Sequence, residues 1–186
     1  GFFVILMNRK SIYEGRKNMH TFQPYPIGTI EINPFKLIGQ QWGAITAEKD
    51  GKCNSMTASW GGMGVMWNKP VACIVIRPQR YTKEFIDREE FFTLSFFDES
   101  YKKIFAFCGS KSGRDVNKVK ECGLTTFETK NGSVAYTEAR LILECKKLYA
   151  APFEKDGFIC KDLLGNYENG DFHTQYIAEI TDCMIK

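Results

Sequence analysis

Trp42-Gly-Ala-Ile-Thr-Ala-Glu48, Lys49-Asp50-Gly51-Lys52 and Cys53-Asn-Ser-Met-Thr-Ala-Ser59 follow one another without a break, and this stretch decides the fold. Asp-Gly between two strand-like runs is the strongest short hairpin signal, because a type I′ turn needs positive φ at both central residues. Working outward, Val71-Ala-Cys-Ile-Val-Ile76 is an apolar, β-rich run opened by Pro70 and closed by Pro78. Proline flanks a ladder but cannot donate within one, so the run predicts a buried strand. Phe91-Phe-Thr-Leu-Ser-Phe96 predicts a further strand, and strand pattern returns at residues 139–149 and 173–182.

Short helices are expected between these strands. Thr82 is placed to N-cap residues 83–87, and Asp98 to N-cap a helix in which Tyr101, Ile104, Phe105 and Cys108 recur at helical spacing before Gly109. Ser112-Gly-Arg-Asp115 marks a third start, with Gly123 the stop after Cys122. Strands dominate both ends with no regular β-α alternation. That excludes a doubly wound parallel sheet and favours a mainly β, closed antiparallel barrel with short helical insertions.

The chain has 186 residues, 44% of them hydrophobic, which suits one domain with a substantial core and no need of disulfides or metals. Lys+Arg 25 against Asp+Glu 22 leaves a net charge of +3, with the signs interleaved along the chain. A dedicated nucleic-acid binder would concentrate its positive charge, so that class is set aside. The seven cysteines are odd in number and form no C-x-x-C pair. They are expected to be reduced, mainly buried thiols in a reducing, cytoplasmic setting, with no metal site. Gly1-Phe-Phe-Val-Ile-Leu-Met7 is too short for a signal-peptide core or a membrane span, so neither export nor a membrane is expected. Met19 is taken as the domain start, giving a single domain over residues 19–186. Residues 1–18 are an N-terminal extension, either outside the domain or an arm packing on a neighbouring subunit.

Three polar segments stand out: Asn54-Ser-Met-Thr-Ala-Ser59, Arg77-Pro-Gln-Arg-Tyr-Thr82 and Gly109-Ser-Lys-Ser-Gly-Arg-Asp115. They combine cations, hydroxyls and expected helix starts at Arg80/Thr82 and at Ser110, Lys111 and Ser112, which is what a phosphate monoester requires. On physics alone this is an anion site of unspecified ligand, set against ordinary helix caps and solvated charge. Asn54 also reads as a strand-end residue, Met56 and Trp60 as core, and Arg77 as a surface charge. His173 alternates with Phe172, so one faces inward; it is either a satisfied structural histidine or a catalytic one, able to act as a general acid near neutral pH.

In this order the hairpin, Asn54-Ser-Met-Thr-Ala-Ser-Trp-Gly-Gly62, Trp67-Asn-Lys-Pro70, Arg77–Thr82 and Ser110-Lys-Ser-Gly-Arg-Asp115, with the late His173, resemble the flavin reductase-like, FMN-binding split-barrel family. The resemblance covers about residues 22–183 and implies an antiparallel split β-barrel of Greek-key type. It implies that Asn54, Ser55, Met56 and Thr57 run along the isoalloxazine and ribityl chain. Ser59, Arg77, Arg80, Tyr81, Thr82, Ser110, Lys111 and Ser112 are then ribityl and phosphate contacts, and His173, if it lies beside the reacting edge, is placed to bond the cofactor or steer the nicotinamide.

Two functions follow. One is a reductase passing electrons from NADH or NADPH through FMN to a flavin or other acceptor. The other is a flavoredoxin-like FMN carrier docking on a redox protein partner. A homodimer is expected, because a small barrel filled with side chains has little interior room for a large apolar ring and a cleft between subunits supplies it. The segment 153–171 is expected to shape access to that ring.

Overall fold

The computed structural model describes residues 22–186; the expected extension over residues 1–18 and the domain start at Met19 lie outside the described residues. The strands are β1 (Gln23–Pro24), β2 (Gly43–Lys49), β3 (Lys52–Ala58), β4 (Gly61–Met66), β5 (Lys69–Ile76), β6 (Phe91–Phe96), β7 (Thr126–Glu128), β8 (Val134–Tyr136), β9 (Leu141–Pro152) and β10 (Thr174–Ile185). The helices are α1 (Pro34–Lys36), continued by a wider turn over Leu37–Gln41, then α2 (Tyr81–Ile86), α3 (Lys102–Ser110) and α4 (Lys118–Glu121). The β2–β3 hairpin forms as expected, with Asp50 at φ 53° and Gly51 at φ 73° making the turn. A second hairpin, β4–β5, turns at Trp67 and Asn68, both also at positive φ. The pattern missed β4 because its glycines carry no alternation.

The main sheet is antiparallel, in the order β3-β2-β6-β9-β10-β5-β4, with β1 added on β10. β3 and β4 lie at opposite ends of that order, yet only Ser59 and Trp60 separate them in the chain. Laid flat, edge strands of a seven-strand order would sit about 29 Å apart at about 4.8 Å per strand. The covalent step from Ala58 to Gly61 spans at most about 11 Å. The sheet therefore curls into a barrel whose β3/β4 seam is bridged by the chain and not by a ladder, which makes it a split barrel.

Strand alternation divides the buried side chains between two cores. On β9, Leu141, Leu143 and Cys145 enter the barrel, with Ile45, Ile74, Phe92 and Tyr176. Ile142 faces outward into a second cluster with Phe97, Phe105, Phe127 and Tyr136, where α3 and the separate β7–β8 ribbon cover the barrel wall. Glu144, on that same outer face, is fully buried. Its carboxylate accepts from the Thr129 hydroxyl, from Asn131 N at 3.2 Å and from Asn131 Nδ2 at 2.7 Å, so the turn of the ribbon seals it.

The helix starts differ from expectation. Thr82 lies inside α2, and Arg80 stands at its N-cap without a capping side-chain bond. Asp98 precedes a short turn at Glu99–Tyr101 without capping it, and α3 runs through Gly109 to Ser110. The third helix starts at Lys118 instead of near Ser112, because the Asn117 side chain accepts from Lys120 N at 3.1 Å and outcompetes Ser112 as cap.

Gly61 sits at φ +145°, and a Cβ there would fall on the Cys73 carbonyl, whereas a Cβ at Gly62 meets nothing. Gly61→Ala should therefore cost about 2 kcal/mol or more in urea unfolding, and Gly62→Ala about 0.5 kcal/mol or less. Equal effects would show that the seam tolerates ordinary backbone at its entry.

Candidate functional site

The three polar segments meet beside the seam and are pinned pairwise. Asn54 Nδ2 donates to Thr82 Oγ1 at 2.7 Å, joining the first segment to the second. Arg80 Nη1 donates to the Gly109 carbonyl at 2.8 Å, joining the second to the third. Lys118 Nζ donates to the carbonyls of Ser55 at 2.8 Å and Cys108 at 2.7 Å, tying the chain on either side of the third segment to the first. Gly113 is needed in this arrangement because a Cβ there would land on the Asn54 side chain.

Two clefts open along these ties. One, of about 430 Å³, is walled by Asn54, Tyr81, Thr82, Ser110, Lys111, Ser112 and Lys118. The other, of about 220 Å³, is walled by Thr57, Ser59, Trp60, Val75 and His173. Met56, Arg77 and Arg80 line both, so the two form one groove with a cationic end and an aromatic end. A larger cavity of about 1130 Å³ lies elsewhere, between residues 25–32 and 137–141, and touches none of the three segments.

Every expected site residue lines this groove except Ser55. Successive side chains of a strand point to opposite faces, and Ser55 points outward. There its hydroxyl is 2.7 Å from Thr46 Oγ1 and bonds the Tyr136 hydroxyl. Thr57 borders the groove, but its hydroxyl is turned to that same outer face and donates to the Phe105 carbonyl at 2.6 Å, fastening α3 to β3. Because β3 is an edge strand, one row of its backbone N–H and C=O groups is left without a ladder partner beside the groove.

The positive end is not built as the sequence suggested. Ser110 ends α3 and Lys111 is its C-cap, so residues 110–112 sit at a helix C-terminus, where the macrodipole disfavours an anion. Positive charge comes instead from side chains, and the most telling of them is Lys118, which sequence reasoning missed. Its setting, Asn117-Lys-Val-Lys-Glu121, looks like a solvated helix and carries no distinguishing signal. Lys118 is only 7% exposed. It enters none of the ion pairs among the described residues. Burial pushes its ammonium below the usual lysine range, Cys108 raises it, and Arg80 adds to the lowering. A buried cation held only by two carbonyls is a place an anion completes.

Arg77 has a different task. It is ion-paired with Asp171, donates to the Asn166 carbonyl at 2.9 Å and lies 5.2 Å over the Tyr167 ring. Gln79 Nε2 donates to the same Asp171 carboxylate at 2.7 Å, and these two bonds, Gln79 first, hold that carboxyl below its ordinary value. Arg77 thus anchors the segment 153–171 beside His173, which Tyr167 contacts, a use of its guanidinium that differs from the expected ribityl or phosphate contact; no residue of that segment lines either cleft.

His173 immediately precedes β10 and is 8% exposed. Its ring is 5.3 Å from Trp60 and 5.5 Å from Tyr167, and Nδ1 lies 2.9 Å from the Tyr167 hydroxyl. Burial, then the Arg77 charge, pull the imidazole down to about 4. It is therefore neutral near pH 7 and is not the general acid that its ordinary pKa suggests. The direction of this bond follows the tautomer: where the phenol donates to Nδ1 the ring proton sits on Nε2 as a donor, and in the other tautomer Nδ1–H donates to the phenol oxygen.

The sequence model described as "Flavin reductase like domain" matches residues 36–186. No curated protein matches in sequence. Among solved structures, the chain is similar to an FMN-binding domain of flavin reductases-like enzyme from Shewanella baltica OS155, at 20% identity and TM-score 0.65, over 88% of this chain and 76% of that one. It is similar to flavoredoxin from Methanosarcina acetivorans at 21% identity and TM-score 0.64, over 85% and 75%. The flavin reductase PheA2 aligns at 19% identity and TM-score 0.58, over 78% and 79%.

A depressed histidine pKa has a defined linkage. Between about 6.5 and about 4 the unfolded chain binds a proton that the folded one does not, so the His173 contribution is present above pH 6.5 and is lost as pH falls through that window. The His173 ring resonances should titrate near pH 4, and His173→Gln should flatten the fall in stability across the window. A midpoint at or above 6 by NMR would overturn the neutral assignment.

Proposed function

The chain belongs to the flavin reductase like domain family, and from that premise we propose that it binds FMN in the seam groove and works as an NAD(P)H-dependent oxidoreductase. The supporting observation is the shared lining of the two clefts: Met56, Arg77 and Arg80 join a cationic end at Lys111 and Lys118 to an aromatic end at Trp60 and His173. A long ligand with a phosphate at one end and a planar ring at the other matches that polarity. FMN supplies hydride acceptance and stepwise electron release when bound. Arg80, Lys111 and Lys118 meet the phosphate dianion, with Ser110, Ser112 and Thr82 beside them. The free backbone row of β3 faces the polar edge of the ring. In the tautomer with its proton on Nε2, His173 orients a bound group by donating a hydrogen bond, and the segment pinned through Arg77 and Asp171 holds Tyr167 beside it.

The partner is a second copy of this chain. β4 is an edge strand, and around it Val65 is 78% and Phe35 86% exposed, with Trp60, Met66 and Trp67 also open. Such an apolar edge is a pairing surface. The same open face next to the groove also favours the second reading, an FMN carrier that docks a redox protein.

Loss of one charge-assisted bond costs about 1.5–3 kcal/mol. Arg80→Ala and Lys111→Ala should therefore each weaken FMN by about tenfold or more and riboflavin little; equal losses would sink the phosphate assignment. Anaerobic NADH and NADPH, added separately to the FMN-loaded protein, should bleach the visible band in the reductase. An unbleached band with tight FMN selects the carrier. Sedimentation in reductant should give twice the chain mass, and Val65→Lys should shift it toward the monomer.

A further inference from the structure

Two thiols face each other behind the cationic end of the groove. Cys108 Sγ, in the last turn of α3, is 3.2 Å from Cys122 Sγ, at the C-cap of α4. Neither is in a disulfide; Cys108 is buried and Cys122 half-buried. The chain between them carries Ser110, Lys111, Ser112 and Lys118, which form one wall of the cleft. Lys118 Nζ donates to the Cys108 carbonyl itself. The sulfurs therefore sit at the two ends of that wall. Cys145 and Cys183 are sealed inside the barrel core, and Cys160 is exposed.

We propose that Cys108 and Cys122 form a reversible dithiol–disulfide site whose oxidant is a low-molecular-weight disulfide, and that its closure stiffens the wall over residues 109–121. Cys122 is the sulfur an external reagent reaches. Its thiolate attacks one sulfur of RSSR, the S–S bond breaks, and RS⁻ leaves and takes up the proton Cys122 gave to solvent. Cys108 then attacks Cys122 Sγ in the mixed disulfide, and the second RS⁻ leaves with the Cys108 proton. The protein loses two electrons and two protons, and two RSH form. Burial first, then the Cys122 thiol, push Cys108 up to about 12 in the dithiol form, so Cys108 is the poorer first nucleophile. In the second step, contact distance replaces a high thiolate fraction as the source of rate.

A disulfide needs the sulfurs at about 2.05 Å, about 1 Å closer than they stand, so closure draws the end of α4 onto α3. A cross-link at both ends of the wall removes conformations open to it in the dithiol form. The consequence for flavin rests on the proposed function: a wall already ordered needs less ordering on binding, and FMN should bind threefold or more tighter to oxidised protein. The disulfide does not rest on that reading.

The test uses the full chain treated with excess oxidised glutathione. In Cys160→Ser protein, which lacks the exposed thiol that would itself take up glutathione, free thiols counted after denaturation should fall from six to four. Peptide mapping should place the bond at Cys108–Cys122, dithiothreitol should restore both thiols, and amide exchange over residues 109–121 should slow at least fivefold. Cys122→Ser should abolish the bond and Cys160→Ser should leave it unchanged. Six thiols remaining in the treated Cys160→Ser protein, a bond elsewhere, or the expected bond with unchanged exchange would each overturn the proposal. A protein that forms the bond and slows exchange but binds no FMN in either state sinks the flavin reading and leaves this site standing.

Discussion

Two residues, Ser59 and Trp60, join strands at opposite ends of the sheet order, and that short covalent bridge is the constraint on which the rest of the molecule depends. It forces the sheet to curl, and it forces closure at a place where no ladder forms. An unladdered seam leaves edge-strand backbone beside a gap in the wall. The groove opens at that gap, lined by Ser59 and Trp60 themselves together with Met56 and His173. The fold and the site are thus consequences of one connection, with Gly61 admitting the chain past the Cys73 carbonyl.

The seam would be only a cleft without the ties that fix its cationic end. Asn54–Thr82, Arg80–Gly109 and Lys118 with its two carbonyls hold three segments in mutual register although they are far apart in the chain. These bonds occupy only part of the donor capacity: guanidinium has five N–H groups and ammonium three. The residues that build the pocket therefore keep donors for a ligand. The aromatic end follows the opposite logic. Burial of His173 against Trp60 and Tyr167 holds its imidazole neutral, which suits orientation over proton supply.

Much of this was legible locally. The Asp50-Gly51 turn, the β-rich run ending at Ile76 and the Phe91–Phe96 strand depend on φ preferences and side-chain period, both properties of short stretches. The helix starts were not legible to the residue. Thr82, Asp98 and Ser112 are all competent caps, and the choice went to whichever side chain the tertiary packing left free: Thr82 was taken by Asn54, and Asn117 displaced Ser112. Ser55 shows the same limit at the site, since its facing depends on which strand surface meets the ribbon carrying Tyr136.

By itself the sequence determined the fold class, the hairpin that starts the barrel, the polar segments that carry the site and the family to which they belong, because each is written in local turn chemistry, residue period and motif order. Only the tertiary structure decided that Lys118 is a buried cation and that Arg77 is spent on Asp171. Likewise, only there does His173 become neutral and Cys108 face Cys122. A charge's energy is set by what surrounds it in space, and those neighbours come from chain segments that no local window contains.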